Sequence, residues 1–388
     1  MQRILLPAGV AVVATGLLTA GLSGTSRAFG DISQDSMARD TADAVSVASF
    51  WLASNGAALR SATPYTWNAG QIRKVVSKGG HDPDGKPGTT APISDSRPAA
   101  IAAQNVNLPK TVGKVFFVDG SGRFRWCSGT SIQSNYRNLV STAGHCVYDT
   151  AADRAVMDKW VFVPGYYQGR APWGIYVGEQ AFTHYDFEAY EDHDRDYAFV
   201  TVYNGIHLNA AKQVNRRDYQ GFTGPKRAWG GRYYLLLSKD AGRLGDNVGG
   251  QGFAWNQPAG RTVRAFGYPA ARHPDGDRPY GGVTPKQCHG RTTAKALGAS
   301  WLKIEDHLGL KCAVTPGFDG GPWLLNYDNS KRLGYVNGTT STFADQDGND
   351  RVDYITSPYF DGETEAVYDA AKNVWTDKIV GPDGELYR

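Results

Sequence analysis

From Val112 onward the chain alternates short β-forming runs with turn-forming residues, and that pattern restricts it to an all-β body. Val112–Val118 reads as a strand, Asp119-Gly120-Ser121-Gly122 as a hairpin turn, and Phe124–Ile132 as the returning strand. Leu139–Thr142 follows, and further strands are expected at 159–163, 198–203, 262–267, 322–326 and 332–337. Strands so closely spaced bury their apolar faces by closing into a barrel or a sandwich. The 47 glycines and 21 tyrosines among 388 residues fit a loop-rich β protein. One helix stands out near the end, over 363–374, with Asp361 or Thr364 at its start. No internal repeat is visible.

The first 28 residues have the make-up of an export signal. Arg3 is followed by the uncharged apolar stretch Ile4–Leu22, and Ser26-Arg27-Ala28 supplies small residues at the cleavage positions. Pro7, Gly9, Gly16, Gly21 and Gly24 weaken the segment as a membrane anchor. Removal after Ala28 and a secreted product are expected, with no membrane attachment once the signal is gone. Residues 29–110 read as an N-terminal extension or pro-segment. It holds a helix-like apolar stretch within Thr41–Leu59, then Pro64, then a Gly/Pro/Asp-rich linker over 79–98. The formal charge is +3, and loss of Arg3 and Arg27 with the signal brings it closer to neutral. Nucleic acid is therefore not indicated as a partner.

Four cysteines in an exported chain imply two disulfides. They admit three pairings. Cys127–Cys146 with Cys288–Cys312 is preferred, because each pair brackets one local unit and closes a short loop. Close cysteine pairs of the kind that hold zinc are lacking.

Hydrolysis by a side-chain nucleophile needs a base, a group that orients the base, and backbone N–H groups aimed at the developing oxyanion. Thr142-Ala143-Gly144-His145-Cys146 supplies a candidate base. A β-run and two small residues turn tightly there to present His145, and Cys146 can pin the loop to Cys127. In Asp196-Tyr197-Ala198-Phe199-Val200 an acid stands directly before an apolar strand, so Asp196 is the candidate orienting carboxylate. Asp186, Asp192 and Asp194 compete from the same acidic loop, but none opens directly into the apolar run. Gly317 and Gly320 flank Asp319 and permit the backbone angles of an oxyanion hole made by the N–H groups of residues 317 and 319.

The order of these residues, with Thr142–Cys146, Asp196–Val200 and Gly317-Phe318-Asp319-Gly320-Gly321-Pro322, resembles the chymotrypsin-like serine peptidases. The match looks closer to their secreted actinobacterial trypsin-like and glutamyl-endopeptidase members. The similarity covers about residues 111–362. It implies two six-stranded antiparallel β-barrels, about 111–225 and 226–362, followed by the C-terminal helix to 375 and a tail over 376–388. The active site would lie in the cleft between the barrels. A peptide or protein would bind in that cleft to a monomer without cofactor or metal.

One position departs from the family frame. Asp319 stands where the resemblance places the nucleophilic serine, and Phe318 replaces the small or acidic residue before it. A carboxylate there favours the cationic form of His145, repels an oxyanion and attacks amides poorly. The expectation is a peptidase homologue without normal proteolytic activity. The alternative is a hydrolase or esterase that uses Asp319 as a carboxylate nucleophile. Ala313, six residues before Asp319, gives no basis for lysine or arginine preference. The run 345–353 is rich in oxygen ligands but does not fit the twelve-residue calcium loop.

Overall fold

The computed structural model describes residues 31–66, 72–73, 83–94, 108–150, 156–222 and 226–381; the expected export signal lies outside the described residues. The all-β reading holds, with two barrel-type lobes and a C-terminal helix. Six strands make the first lobe. In spatial order they are Val112–Val118, Phe124–Ile132, Leu139–Thr142, Ala198–Val202, Tyr176–His184 and Asp158–Pro164. Each pairs antiparallel with the next, and Asp158–Pro164 returns to Val112–Val118, so the sheet closes.

Strand alternation explains why these runs are apolar on both faces. Val115, Phe117, Phe162, Ala198 and Val200 point inward and share one buried cluster with the Cys127–Cys146 sulfurs. Their neighbours Phe116, Val161, Val163 and Phe199 belong to a second cluster outside the barrel. Two helices cover that outer face. Thr41–Ser61 is capped by Asp40, whose side chain accepts the N–H of Asp43, and it buries Trp51 completely against the barrel. The Trp51 indole lies 5.8 Å from the Phe116 ring and donates to the carbonyl of Lys159. Gly362–Ala371 is closed by a capping box between Asp361 and Thr364 and packs Tyr368 against Phe199 and Phe253. The expected end of this helix, residue 374, falls beyond the observed one.

The N-terminal extension is thus built into the body of the protein. Ile32–Ser36 also adds antiparallel to the far end of the barrel strand Tyr176–His184, at residues 180–184. Thr63–Pro64 pairs in parallel with Arg125–Trp126. Within the segment read as a linker, Gly88–Thr90 pairs with Gly252–Trp255 of the second lobe.

The second lobe is a half-barrel of two sheets. One runs Lys286–Arg291, Thr262–Gly267, Pro322–Asp328, Leu333–Thr339 and Gly252–Trp255. The other contains Ile304–Lys311, Tyr354–Ser357 and Thr342–Asp345. In the sequence between the lobes comes a long antiparallel pair, Gly205–Val214 with Arg232–Gly242, which has its own three-stranded sheet. Both expected disulfides are present, with Cα–Cα separations of 6.1 Å for Cys127–Cys146 and 5.8 Å for Cys288–Cys312. Among the described residues no helix is long and apolar enough to cross a membrane.

Candidate active site

His145, Asp196 and Asp319 come together, although 51 residues separate the first two and more than a hundred the last two. Each arrives by a different route. His145 sits on a single 3-10 turn, Gly144–Cys146, immediately after the barrel strand Leu139–Thr142 and fastened by the Cys127–Cys146 bridge. Asp196 follows the short turn His193–Arg195 and precedes the barrel strand Ala198–Val202, which pairs with Leu139–Thr142. Strand pairing therefore sets the histidine and the aspartate side by side. Asp319 comes from the second lobe, on the turn that leads into Pro322–Asp328. All three are at most 1 % exposed.

Asp196 holds His145 with both oxygens. Its Oδ1 accepts the backbone N–H of His145 at 2.9 Å, and its Oδ2 lies 2.7 Å from the ring Nδ1. Ser341 donates to the same Oδ2 at 2.5 Å. The competing acids are engaged elsewhere. Asp192 caps the 3-10 turn through the N–H of Asp194, and Asp194 accepts the N–H groups of Glu305 and Asp306. Asp186 lies beside His184, 3.8 Å from its Nδ1.

On the opposite side of the ring, Nε2 of His145 lies 3.7 Å from Oδ1 of Asp319. Asp319 Oδ2 accepts the N–H of Gly317 at 2.7 Å, and the N–H of Asp319 itself also favours the charged carboxylate. The Gly317 N–H is thus directed at this carboxylate. The turn that aims it depends on glycine. Gly317 has φ +99°, and Gly320 has φ +73°. A Cβ on Gly320 would come within 2.4 Å of the Ser128 carbonyl oxygen. Ser128 ties this turn to the first lobe, because its N–H donates to the Asp319 carbonyl and its hydroxyl to that of Gly317.

Burial in the site works against every charge, and the outcome depends on partners. For His145, desolvation lowers the pKa, but Asp196 first and Asp319 second raise it to about 9. Asp196 is held well below the usual carboxylate range, since His145 outweighs its burial. The Asp319 carboxyl is pushed up by burial, opposed by His145 and the N–H of Gly317. At neutral pH the imidazole is a cation between two acids.

Three contributors lacked a clear signal in the sequence. Ser341 lies in the polar run Thr339-Thr340-Ser341-Thr342, which is wholly buried. Ser128 is one small polar residue of a barrel strand. Tyr65 belongs to the N-terminal extension, yet its ring stacks on His145 with centroids 6.2 Å apart, and its N–H donates to the Trp126 carbonyl at 2.8 Å. Pro64 lies beside it against the same turn, so that a Cβ on Gly317 would come 3.1 Å from the Pro64 Cβ.

Candidate metal groups are closed. Cys127, Cys146 and His145 bring metal-binding atoms together, but the two sulfurs are bonded to each other. In the run 345–353, Asp345 accepts the N–H groups of Gly348, Asn349 and Asp350, and Asp353 accepts that of Gln346. These carboxylates cap their own turn.

Comparison with solved structures decides the fold. The chain superposes on the protease Anisep from Arthrobacter nicotinovorans with TM-score 0.51 at 25 % identity, over 69 % of this chain and 98 % of that one. The fold is that of the chymotrypsin-like serine proteases. A thermostable serine protease, AL20, from an extremophilic microorganism matches equally well, with TM-score 0.51 at 26 % identity over 69 % of this chain and 98 % of that one. Neither a family model nor a curated protein matches the sequence. In the serine-protease fold, the closed lobe delivers His145 and Asp196, and the half-barrel delivers the Asp319 turn.

Proposed function

We propose that this chain is a secreted serine-protease homologue without normal proteolytic activity, which binds a peptide or protein in the cleft between its lobes. In this reading Asp319 occupies the position of the nucleophilic serine. The observation that carries it is the bond from the Gly317 N–H to Asp319 Oδ2 at 2.7 Å. The donor needed to stabilise a substrate oxyanion is engaged by the protein's own anion. A transition state arriving there meets a negative charge instead of a vacant pair of donors. His145, with a pKa near 9, is already protonated at pH 7 and cannot take a proton from an attacking group. Loss of the nucleophile from such a triad costs on the order of 10⁶ in rate.

Two disulfides and the likeness to a bacterial protease support secretion. The bacterial origin of that neighbour also agrees with a place among secreted bacterial members of the fold. Pro64 lies against the Gly317 turn and Tyr65 stacks on the His145 ring, so in this reading the N-terminal extension forms one side of the peptide site.

The carboxylate-nucleophile alternative has less support, because Oδ2 is tied to Gly317 and Oδ1 faces a protonated imidazole. Incubating the purified chain with an activated ester and a pool of casein peptides separates the two. The account expects intact peptides and an unmodified Asp319 by mass spectrometry. A trapped acyl-Asp319 that turns over would establish the esterase instead.

A further inference from the structure

Charge is spread unevenly along the chain. Between Lys212 and Lys239 stand seven Lys and Arg residues and a single acid, Asp218. That segment is +6 in a chain of +3, which leaves −3 for the remainder. It falls on the three-stranded sheet of Gly205–Val214, Arg232–Gly242 and Lys226–Trp229 and on the short helix Arg216–Gly221. The fold therefore gathers onto one element a positive charge that the near-neutral total conceals.

The root of this sheet is fixed to the first lobe, where the buried residues Ile206 and Ile175 exchange backbone hydrogen bonds at 3.0 and 3.1 Å. Its far end is open. A side chain added at Gly221, Gly230 or Gly231 would meet no atom within 4 Å. Trp229 is 66 % exposed, more than any other large apolar side chain described. Lys212, Arg216, Arg217, Arg227, Arg232 and Lys239 are exposed too, and among the described residues none of them pairs with a carboxylate. Register orders the tip. Arg227 lies opposite Tyr234 and Trp229 opposite Arg232, so the four side chains share one face. The Arg227 guanidinium stands 5.7 Å from the Trp229 ring. On the other face Tyr219 of the short helix packs on Tyr233, with ring centroids 4.9 Å apart. Lys226 fastens that helix by donating to the carbonyls of Tyr219 and Phe222. Lys212 and Lys239 belong to this second face, so both faces carry unpaired cations.

We propose that the tip of this sheet docks the protein reversibly onto an anionic phospholipid surface, with the Trp229 indole among the headgroups and the cations facing lipid phosphates. Indoles favour the boundary between headgroups and acyl chains, and Lys and Arg are drawn to an anionic leaflet. A single-stranded nucleic acid would instead stack successive bases on aromatic rings along one basic groove. Here only Trp229 is exposed, while Tyr219, Tyr233 and Tyr234 are half-buried, and the cations lie on two faces. That arrangement suits a charged layer entered end-on. The contact is peripheral and needs no membrane-spanning segment, so a chain that has lost its signal still carries a surface for membranes. It is separate from the His145 cleft and does not depend on the function proposed there.

The test uses the full chain with vesicles of phosphatidylcholine alone or mixed with phosphatidylglycerol, read by co-sedimentation and by quenching of tryptophan fluorescence with brominated lipid. A single-stranded oligonucleotide serves as the competing polyanion. The mixed vesicles bind saturably, neutral vesicles bind at least about tenfold more weakly, and added salt releases the protein. Arg227→Glu with Arg232→Glu weakens binding at least about tenfold, whereas the equal charge change Lys311→Glu with Lys331→Glu, at exposed residues elsewhere, leaves it within about twofold. Trp229→Ala removes most of the quenching, with the thermal midpoint unchanged. Equal binding to neutral vesicles, no binding to either kind, or equal losses from the two double variants overturns the proposal. Quenching that survives Trp229→Ala, or tighter binding of the oligonucleotide than of the mixed vesicles, overturns it as well.

Discussion

Asp319 Oδ2 accepts the N–H of Gly317 at 2.7 Å, so the turn 317–320 closes on its own carboxylate. The same side chain places its other oxygen 3.7 Å from His145 Nε2, while Asp196 holds Nδ1 on the far side. The carboxylate of Asp319 thus meets both the Gly317 donor and the His145 imidazole.

The imidazole of His145 is expected to titrate near pH 9 rather than near its ordinary value. Asp319→Asn lowers that midpoint, and Asp196→Asn lowers it further, because Asp196 is the larger of the two charge effects. Heteronuclear NMR of the ring nitrogens reads both shifts. A midpoint near 6.5 in the natural chain contradicts the assigned geometry.

Stability should fall as pH rises from about 7 to 9. Burial raises Asp194 to about 6, and burial together with Asp194 raises Asp306 to about 7. His145 is raised to about 9 by its carboxylate partners. Each of these groups binds its proton more tightly in the folded chain than in the unfolded one. Their contribution is therefore fullest below the unfolded pKa values and is lost as pH rises through the folded ones. The aspartates act between about 4 and 7, where His307, lowered to about 4 by burial, acts in the opposite sense, and His145 acts between about 6.5 and 9. The urea midpoint should decrease from pH 7 to pH 9; a rise over that interval contradicts the assignment.

Trp51→Ala should cost roughly 3–5 kcal/mol, the range for removing a buried aromatic residue from a core. Trp51 belongs to the extension before the first barrel strand, yet it is fully buried against Phe116 and Phe124. Urea unfolding measures the loss. A change below about 1 kcal/mol would mean that the helix rests on the body without contributing to its core.

Much of this organisation was legible in the sequence because the decisive signals are local. Val112–Val118 and Phe124–Ile132 emerge at their expected positions, since alternation and a glycine turn suffice to define a hairpin. Local context also singled out His145, Asp196 and Asp319, and the structure brings the three side chains together. What escaped was contact across distance. Tyr176–His184 has a glycine and polar residues within it, so its barrel role depends on three partner strands. Ile304–Lys311 mixes charged and apolar residues and becomes a strand through Tyr354–Ser357. The helix Thr41–Ser61 was visible as a helix, but its docking surface is the outer face of strands more than fifty residues away. Ser341 and Tyr65 reach the site through tertiary packing alone.

We propose that a hydrolase scaffold is silenced by the carboxylate at residue 319. Asp319→Ser tests it most directly, by kcat/KM on a panel of peptide and ester substrates beside the natural chain. The substitution removes the anion from the Gly317 donor, lowers the His145 midpoint and places a hydroxyl at that position. The account predicts turnover by the serine form that exceeds the natural chain by at least about a thousandfold. Robust Asp319-dependent cleavage by the natural chain, or a folded serine form with no gain on any substrate, would contradict it.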